Sequence, residues 1–162
     1  MSRLDSVIRR LEAQRACLNR ACEAIAGHPG VVLELGLGNG RTYDHLRQQL
    51  PDREIFVFER CVNAHPDCIP DDDHLFLGDL KETLAQATGR FAGQVAMIHS
   101  DIGTGDPDRN ARFAAWLGEA IAPLLAPGAI VLSDQDLTAL DDYRQPLPPG
   151  VQEGRYFFYR RA

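Results

Sequence analysis

The sequence predicts an α/β fold: a doubly wound, mostly parallel sheet of about six strands with an N-terminal helix packed against it. Three observations lead there. Six short runs rich in β-branched and aromatic residues are bounded by turn-forming residues, and each is too short to be a buried helix. Stretches of helical periodicity separate them, and that alternation calls for parallel pairing through right-handed crossovers. At 162 residues and 44% hydrophobic composition, the chain suits one domain (1–162) around one core, with residues 1–28 forming the leading helix.

Residues 3–26 place Leu4, Val7, Ile8, Leu11, Leu18, Cys22 and Ile25 at steps of three, four and seven, one face of a helix that Gly27 and Pro29 end. VVLEL (31–35) reads as a buried strand running straight into glycines. Residues 42–50 form a helix with Tyr43, Leu46 and Leu50 inward, and Pro51 stops it. EIFVFE (54–59), HLFLGD (74–79), VAMIHSD (95–101), AIVLSD (129–134) and RYFFYR (155–160) are the remaining strands. CVNAHPDCIPDDD, with two prolines and an acidic run, is expected to be a loop with at most a short helix. Residues 108–125 are the clearest later helix, with Phe113, Trp116, Leu117, Ile121 and Leu124 on one face.

Charge narrows the function. A formal charge of −6 argues against nucleic acid or anionic membranes as partners, because both require a basic surface. No apolar run reaches the roughly 18 residues of a membrane span. The opening SRLDSVIRRLEAQRA is too charged for a secretory signal core, so a cytoplasmic protein with Cys17, Cys22, Cys61 and Cys68 as thiols is expected. Cys61, His65 and Cys68 are read as ordinary packing, not as a zinc site.

Five strand ends are polar in the same direction: Glu34, Glu59, Asp79, His99-Ser100-Asp101 and Asp134-Gln135. In doubly wound sheets, ligands bind beyond those carboxyl ends. Glu34-Leu-Gly36-Leu-Gly38-Asn-Gly40-Arg-Thr42 joins a strand to a helix, and its glycines let a ligand approach the backbone. The spacing is G-x-G-x-G, with Arg41 where a dinucleotide site wants a small residue. Glu34 would also repel a diphosphate, by about 3 kcal/mol per unit charge at about 5 Å and an effective dielectric of about 20. A ligand with adenosine, no phosphate, an ammonium and a positive sulfur suits the turn, which describes S-adenosylmethionine. Glu59, 19 positions after Gly40, can accept both ribose hydroxyls, and Asp79 the adenine amino group.

The segment 34–40 resembles the first motif of the class I S-adenosylmethionine-dependent methyltransferases, and Glu59, Asp79 and Asp101 at successive strand ends resemble their later motifs. The resemblance implies a Rossmann-like sheet, methionine against residues 36–40, ribose on Glu59 and adenine near Asp79 and Leu80. The cofactor set on that basis is Glu34, Gly36, Gly38, Asn39, Gly40, Thr42, Glu59, Arg60, Asp79, Leu80 and His99. Family sheets usually have seven strands, the last antiparallel. About 20 residues between strand five and RYFFYR are too few for the usual helix and extra strand. The sheet edge is then incompletely covered, which favours a homo-oligomer.

Methyl transfer to an unidentified small-molecule acceptor needs alignment, desolvation and, for a hydroxyl, proton removal. Asp101 is the first candidate for base or hydrogen-bond acceptor, and His99 the second. Asp101, Asp134 and Gln135 loosely resemble the magnesium set of catechol-type O-methyltransferases, but the longer glutamine departs from it, and no metal ligand is assigned. The competing functions are a non-catalytic S-adenosylmethionine-binding module and an NAD-dependent oxidoreductase.

Overall fold

A computed structural model describes the whole chain, Met1–Ala162. Six strands form one sheet in the order β3-β2-β1-β4-β5-β6. β1 (Val31–Leu35), β2 (Ile55–Glu59), β3 (Leu75–Leu77), β4 (Val95–Ser100) and β5 (Leu125–Ser133) are parallel, and β6 (Phe157–Arg160) runs antiparallel to β5. The order reverses between β1 and β4, so the helices leaving those strands diverge and a crevice opens above them.

Two apolar layers sandwich the sheet. Strand side chains alternate: Leu33, Phe56, Phe58 and Val131 pack with α3 (Leu80–Phe91) and α4 (Pro107–Ile121), whereas Val32, Val57, Met97 and Leu132 pack with α1 (Arg3–Ala24) and α2 (Arg41–Gln49). Both faces are buried, as a parallel sheet requires.

Ser2 and Asp5 form a reciprocal capping box that starts α1. Only its second half is packed, however. Ala13, Gln14, Cys17, Leu18, Ala21 and Cys22 are buried, but Leu4 is 68% exposed, and Val7 and Ile8 are exposed as well. The helix spans about 33 Å at 1.5 Å per residue, longer than any strand here, so its first turns project past the sheet. Burial pushes the Cys17 and Cys22 thiols up to about 11, so they are inert packing groups.

Two more boundaries differ from expectation. β5 begins at Leu125, four residues early, because Pro127 and Gly128 sit inside its irregular first half. Helix α4 stops at Ile121 and hands over to a 3-10 turn at Ala122–Leu124 that contains Pro123. The edge beside β6 is covered in part: Arg144 bridges to Tyr159, and the Gln145 N–H donates to the Phe158 carbonyl at 2.8 Å. The loop after β2 holds only two 3-10 turns, Pro66–Cys68 and Asp72–His74, as its prolines suggested.

One clamp joins the end of α1 to β1. The Arg53 guanidinium donates to the carbonyls of Ile25 (2.9 Å), His28 (2.8 Å) and Gly30 (2.8 Å). Arg53→Ala leaves three carbonyls without that donor, and should lower the unfolding free energy by about 2 kcal/mol in urea melts. Unchanged stability would show that water replaces the clamp.

Candidate active site

Two cavities open over the carboxyl ends of the strands and meet at Gly36, Glu59 and Ile102. The larger, about 520 Å3, runs from there to Asp79 and Leu80 after β3 and to Phe113 and Trp116 on α4. The smaller, about 400 Å3, lies over Gly36, Gly38, Asn39 and Thr42 and is roofed by Arg10, Leu11 and Gln14 of α1. Both volumes fall in the range of small-molecule sites.

The glycine turn is built from positive φ angles, +86° at Gly36, +52° at Gly38 and +86° at Gly40. Only some of that turn faces the cavity. A Cβ at Gly38 would meet nothing within 4 Å, so bare backbone is presented to open space there. At Gly40, a Cβ would lie 2.5 Å from the Cys68 Cβ and 2.9 Å from its carbonyl oxygen. Gly40 lines neither cavity, so its glycine serves packing against the loop after β2, and the expected ligand contact there is corrected.

Glu59 holds the turn. Its Oε2 accepts the N–H groups of Leu37 (2.8 Å) and Gly38 (3.2 Å), and its Oε1 those of Arg60 (2.7 Å) and Cys61 (3.1 Å). Partial burial acts to raise its pKa, but the four N–H donors together outweigh this and hold it below the usual carboxylate range. It is therefore an anion on the wall shared by both cavities.

Glu34 points inward. It is 1% exposed, accepts from Thr42 Oγ1 at 2.6 Å, and sets both carboxylate oxygens against a single histidine nitrogen, His99 Nδ1, Oε1 at 2.9 Å and Oε2 at 2.8 Å. The β1–β4 register sets the two side by side. His99 itself is fully buried and lines neither cavity. Its Nε2 bonds the Tyr156 hydroxyl, to which Gln14 Nε2 also donates at 3.4 Å. Gln14 donates at 2.6 Å to Asp101 Oδ2, which accepts from Arg10 Nη1 at 3.2 Å as well. A chain of polar groups thus runs from the turn through buried His99 and Tyr156 to Gln14 and on to Asp101 at the cavity rim.

That chain changes two expectations. His99 touches no open space, so an acceptor cannot reach its imidazole. Glu34 is one half of a buried pair, so its field at the turn is smaller than that of the bare charge assumed from sequence. Burial disfavours the imidazolium, but the Glu34 carboxylate outweighs it and raises the His99 pKa above the ordinary value. Burial pushes the Tyr156 hydroxyl well up, so it stays protonated.

The other candidates fall as follows. Asn39 caps the Arg41 N–H at 3.2 Å beside the smaller cavity, and Arg60 and Leu80 line the larger one. Asp79 also lines the larger cavity while capping α3 through the Lys81 N–H at 3.0 Å. Asp134 lies behind Gly103, whose N–H it accepts at 2.9 Å; burial and the Asp101 charge raise its pKa. The Gln135 amide donates to Asp134 Oδ2 at 3.0 Å, so it turns its NH2 and not its oxygen toward the carboxylate. No group of three or more His, Cys, Asp or Glu residues is placed to hold a metal ion.

Arg10, Gln14 and Tyr156 were missed from sequence. Gln14 had a readable signal, a polar residue inside the buried stripe of α1. Tyr156 had none.

The raised His99 pKa has a definite sign. A group whose pKa rises on folding stabilises fully below its unfolded value of 6.5 and loses that contribution as pH climbs through the folded value. The stability gap between wild-type and His99→Gln proteins in urea should be largest below about pH 6.5 and shrink as pH rises above it. A gap that ignores pH would mean that folding leaves the proton affinity of the imidazole unchanged.

The open backbone at Gly38, the carboxylate of Glu59 and the absence of a small residue at Arg41 fit an adenosyl amino acid, and comparisons with known proteins agree. A family profile described as S-adenosyl-L-methionine methyltransferase matches residues 1–161. The crystal structure of an S-adenosyl-L-methionine methyl transferase from Silicibacter pomeroyi DSS-3 is 46% identical, with a TM-score of 0.92 over 100% of this chain and 99% of that one. Human methyltransferase-like protein 13 in complex with SAH shares the fold at 14% identity, with a TM-score of 0.55 over 93% of this chain and 82% of that one. A probable spermidine synthase from Corynebacterium glutamicum ATCC 13032 does so at 14% identity and a TM-score of 0.58, over 93% of this chain and 63% of that one. No curated protein matches the sequence. The chain belongs to the S-adenosyl-L-methionine methyltransferase family and is an enzyme that uses S-adenosylmethionine as its methyl donor.

Proposed function

We propose that the enzyme methylates a small molecule, with the donor's methionine end in the smaller cavity and its adenosine in the larger. The observation that carries this is Gly38, whose backbone faces open space beside the Glu59 carboxylate. Gly36, Gly38, Asn39 and Thr42 would hold the methionine end, Glu59 and Arg60 the ribose, and Asp79 and Leu80 the adenine. Both Glu59 oxygens already take two N–H donors each, so ribose hydroxyls would share or displace bonds that shape the turn.

When bound, the donor supplies a methyl group on a sulfonium, which is electrophilic without further activation. The protein's part is placement and proton handling. Asp101 stands at the rim of the smaller cavity, where its carboxylate can accept a hydrogen bond or a proton from an acceptor. Arg10 and Gln14 hold it there. Glu34 and His99 act from behind the turn: the pair fixes Thr42 and the end of β1, and His99 is a positioning residue through Glu34.

A small acceptor is supported by cavity dimensions and by the −6 charge, which disfavours nucleic acid. A cytoplasmic setting is supported by four unpaired cysteines; no helix is long and apolar enough to cross a membrane. Self-association draws support from exposed Met1, Leu4, Val7 and Ile8 on and beside α1.

Thermal melts test the cofactor site. S-adenosylmethionine or S-adenosylhomocysteine at 100 times its dissociation constant adds about 2.7 kcal/mol, which should raise the midpoint by roughly 5–11 °C. No shift with either, together with a shift from NADH, would overturn the assignment.

A further inference from the structure

The larger cavity has an electrostatic asymmetry that its proposed adenosine engages only at Arg60. Arg60, Lys81, Arg109 and Arg112 all line it, and Lys81 is the only lysine in a chain of net charge −6. None of these four charged groups makes a salt bridge or donates a side-chain hydrogen bond to the protein. Arg53, Arg47 and Arg144 differ in this, since three carbonyls hold Arg53, Asp44 holds Arg47, and Asp136 and Asp141 hold Arg144. The two carboxylates on the cavity wall bond backbone N–H groups and none of these cations, so four formal positive charges stand against two negative ones.

The platform carrying two of these arginines is fixed. Asp106 caps the first turn of α4 through the N–H groups of Asp108 and Arg109, both at 3.1 Å. Asn110 binds the loop before it, donating to the Thr104 carbonyl at 2.7 Å and accepting from the Thr104 N–H at 2.9 Å. Arg109 and Arg112, three residues apart on that helix, therefore project from one face of an ordered turn into the cavity. Lys81 stands over the Trp116 ring at 5.4 Å on the opposite wall.

The methyl donor does not explain this cluster. It carries an ammonium, a sulfonium and one carboxylate, a net positive charge, and its carboxylate belongs to the glycine-turn end. Four cations around the other end would oppose it unless a second ligand brings negative charge. The cavities meet at Gly36 and Ile102, so a molecule anchored on α4 can extend toward the rim where Asp101 stands.

We propose that the methyl acceptor carries a phosphate or carboxylate group, and that Arg109 and Arg112, with Lys81 across the cavity, bind it. This rests on the methyltransferase site assigned above. Guanidinium groups match both oxyanions through paired N–H donors, so the shared chemistry is that of a compact oxyanion.

Calorimetry on protein saturated with S-adenosylhomocysteine separates the outcomes, with inorganic pyrophosphate and citrate as probes. At least one should bind, with affinity that falls as salt rises. Pyrophosphate alone would identify a phosphate site, and citrate alone a carboxylate site. In the Arg109→Gln/Arg112→Gln double variant, that binding should weaken about tenfold or more while S-adenosylhomocysteine affinity stays within about twofold of wild type. Absence of binding by both probes, or full binding by the double variant, would overturn the proposal. So would a short single-stranded RNA that displaces pyrophosphate at lower concentration than citrate does, since the partner would then be a nucleic acid. Loss of S-adenosylhomocysteine binding in the wild-type protein would instead bring down the cofactor site, and this proposal with it.

Discussion

Four backbone N–H groups converge on the carboxylate of Glu59, two from the glycine turn and two from the start of the next loop. A chain bending through three positive φ angles would otherwise leave those donors to water, and the turn would have no reason to hold one shape. The carboxylate fixes both the path of the backbone and the sign of the charge beside it. The cavities meet at this residue, so whatever occupies either one is placed relative to Glu59.

A second constraint lies beneath the turn. Glu34, His99, Tyr156, Gln14 and Asp101 come from β1, β4, the segment entering β6, α1 and the loop after β4, and each bonds the next. Burying an unpaired carboxylate or imidazole would be costly, so the members require one another. The consequence for function is geometric. The N-terminal helix cannot shift without disturbing Asp101, and Asp101 cannot move without disturbing groups that end at the cofactor turn. The exposed first turns of α1 lie beyond that anchorage and are unconstrained by it.

Much of the sheet was legible because local signals coincide with it. VVLEL, EIFVFE and VAMIHSD are short, mostly apolar runs between turn residues, and the strands occupy them within a residue. The start of β5 was hidden by Pro127 and Gly128, which read as a break but sit in an irregular strand. Periodicity on α1 predicted an apolar face but not where the sheet beneath it ends, and so Leu4 was misplaced. At the site, Glu59 and Gly38 were visible as a motif. The pairing of Glu34 with His99 depends on a parallel register across 65 residues, and that of Gln14 with Tyr156 on contacts 142 residues apart. Gly40 looked like its neighbours in the motif, but its neighbour in space is Cys68. Spacing in a sequence does not reveal which glycine faces a ligand and which faces the protein.

The central claim is that the bare backbone at Gly38, held by Glu59, is the seat of the methyl donor. Calorimetric titration of S-adenosylhomocysteine into Gly38→Ala tests it most directly, because the added methyl meets no protein atom within 4 Å. The positive φ costs the variant only about 1–2 kcal/mol of stability, which leaves it folded for the titration. An affinity loss of about tenfold or more is predicted. Wild-type affinity in this variant would contradict the account, since the cofactor would then sit away from the turn.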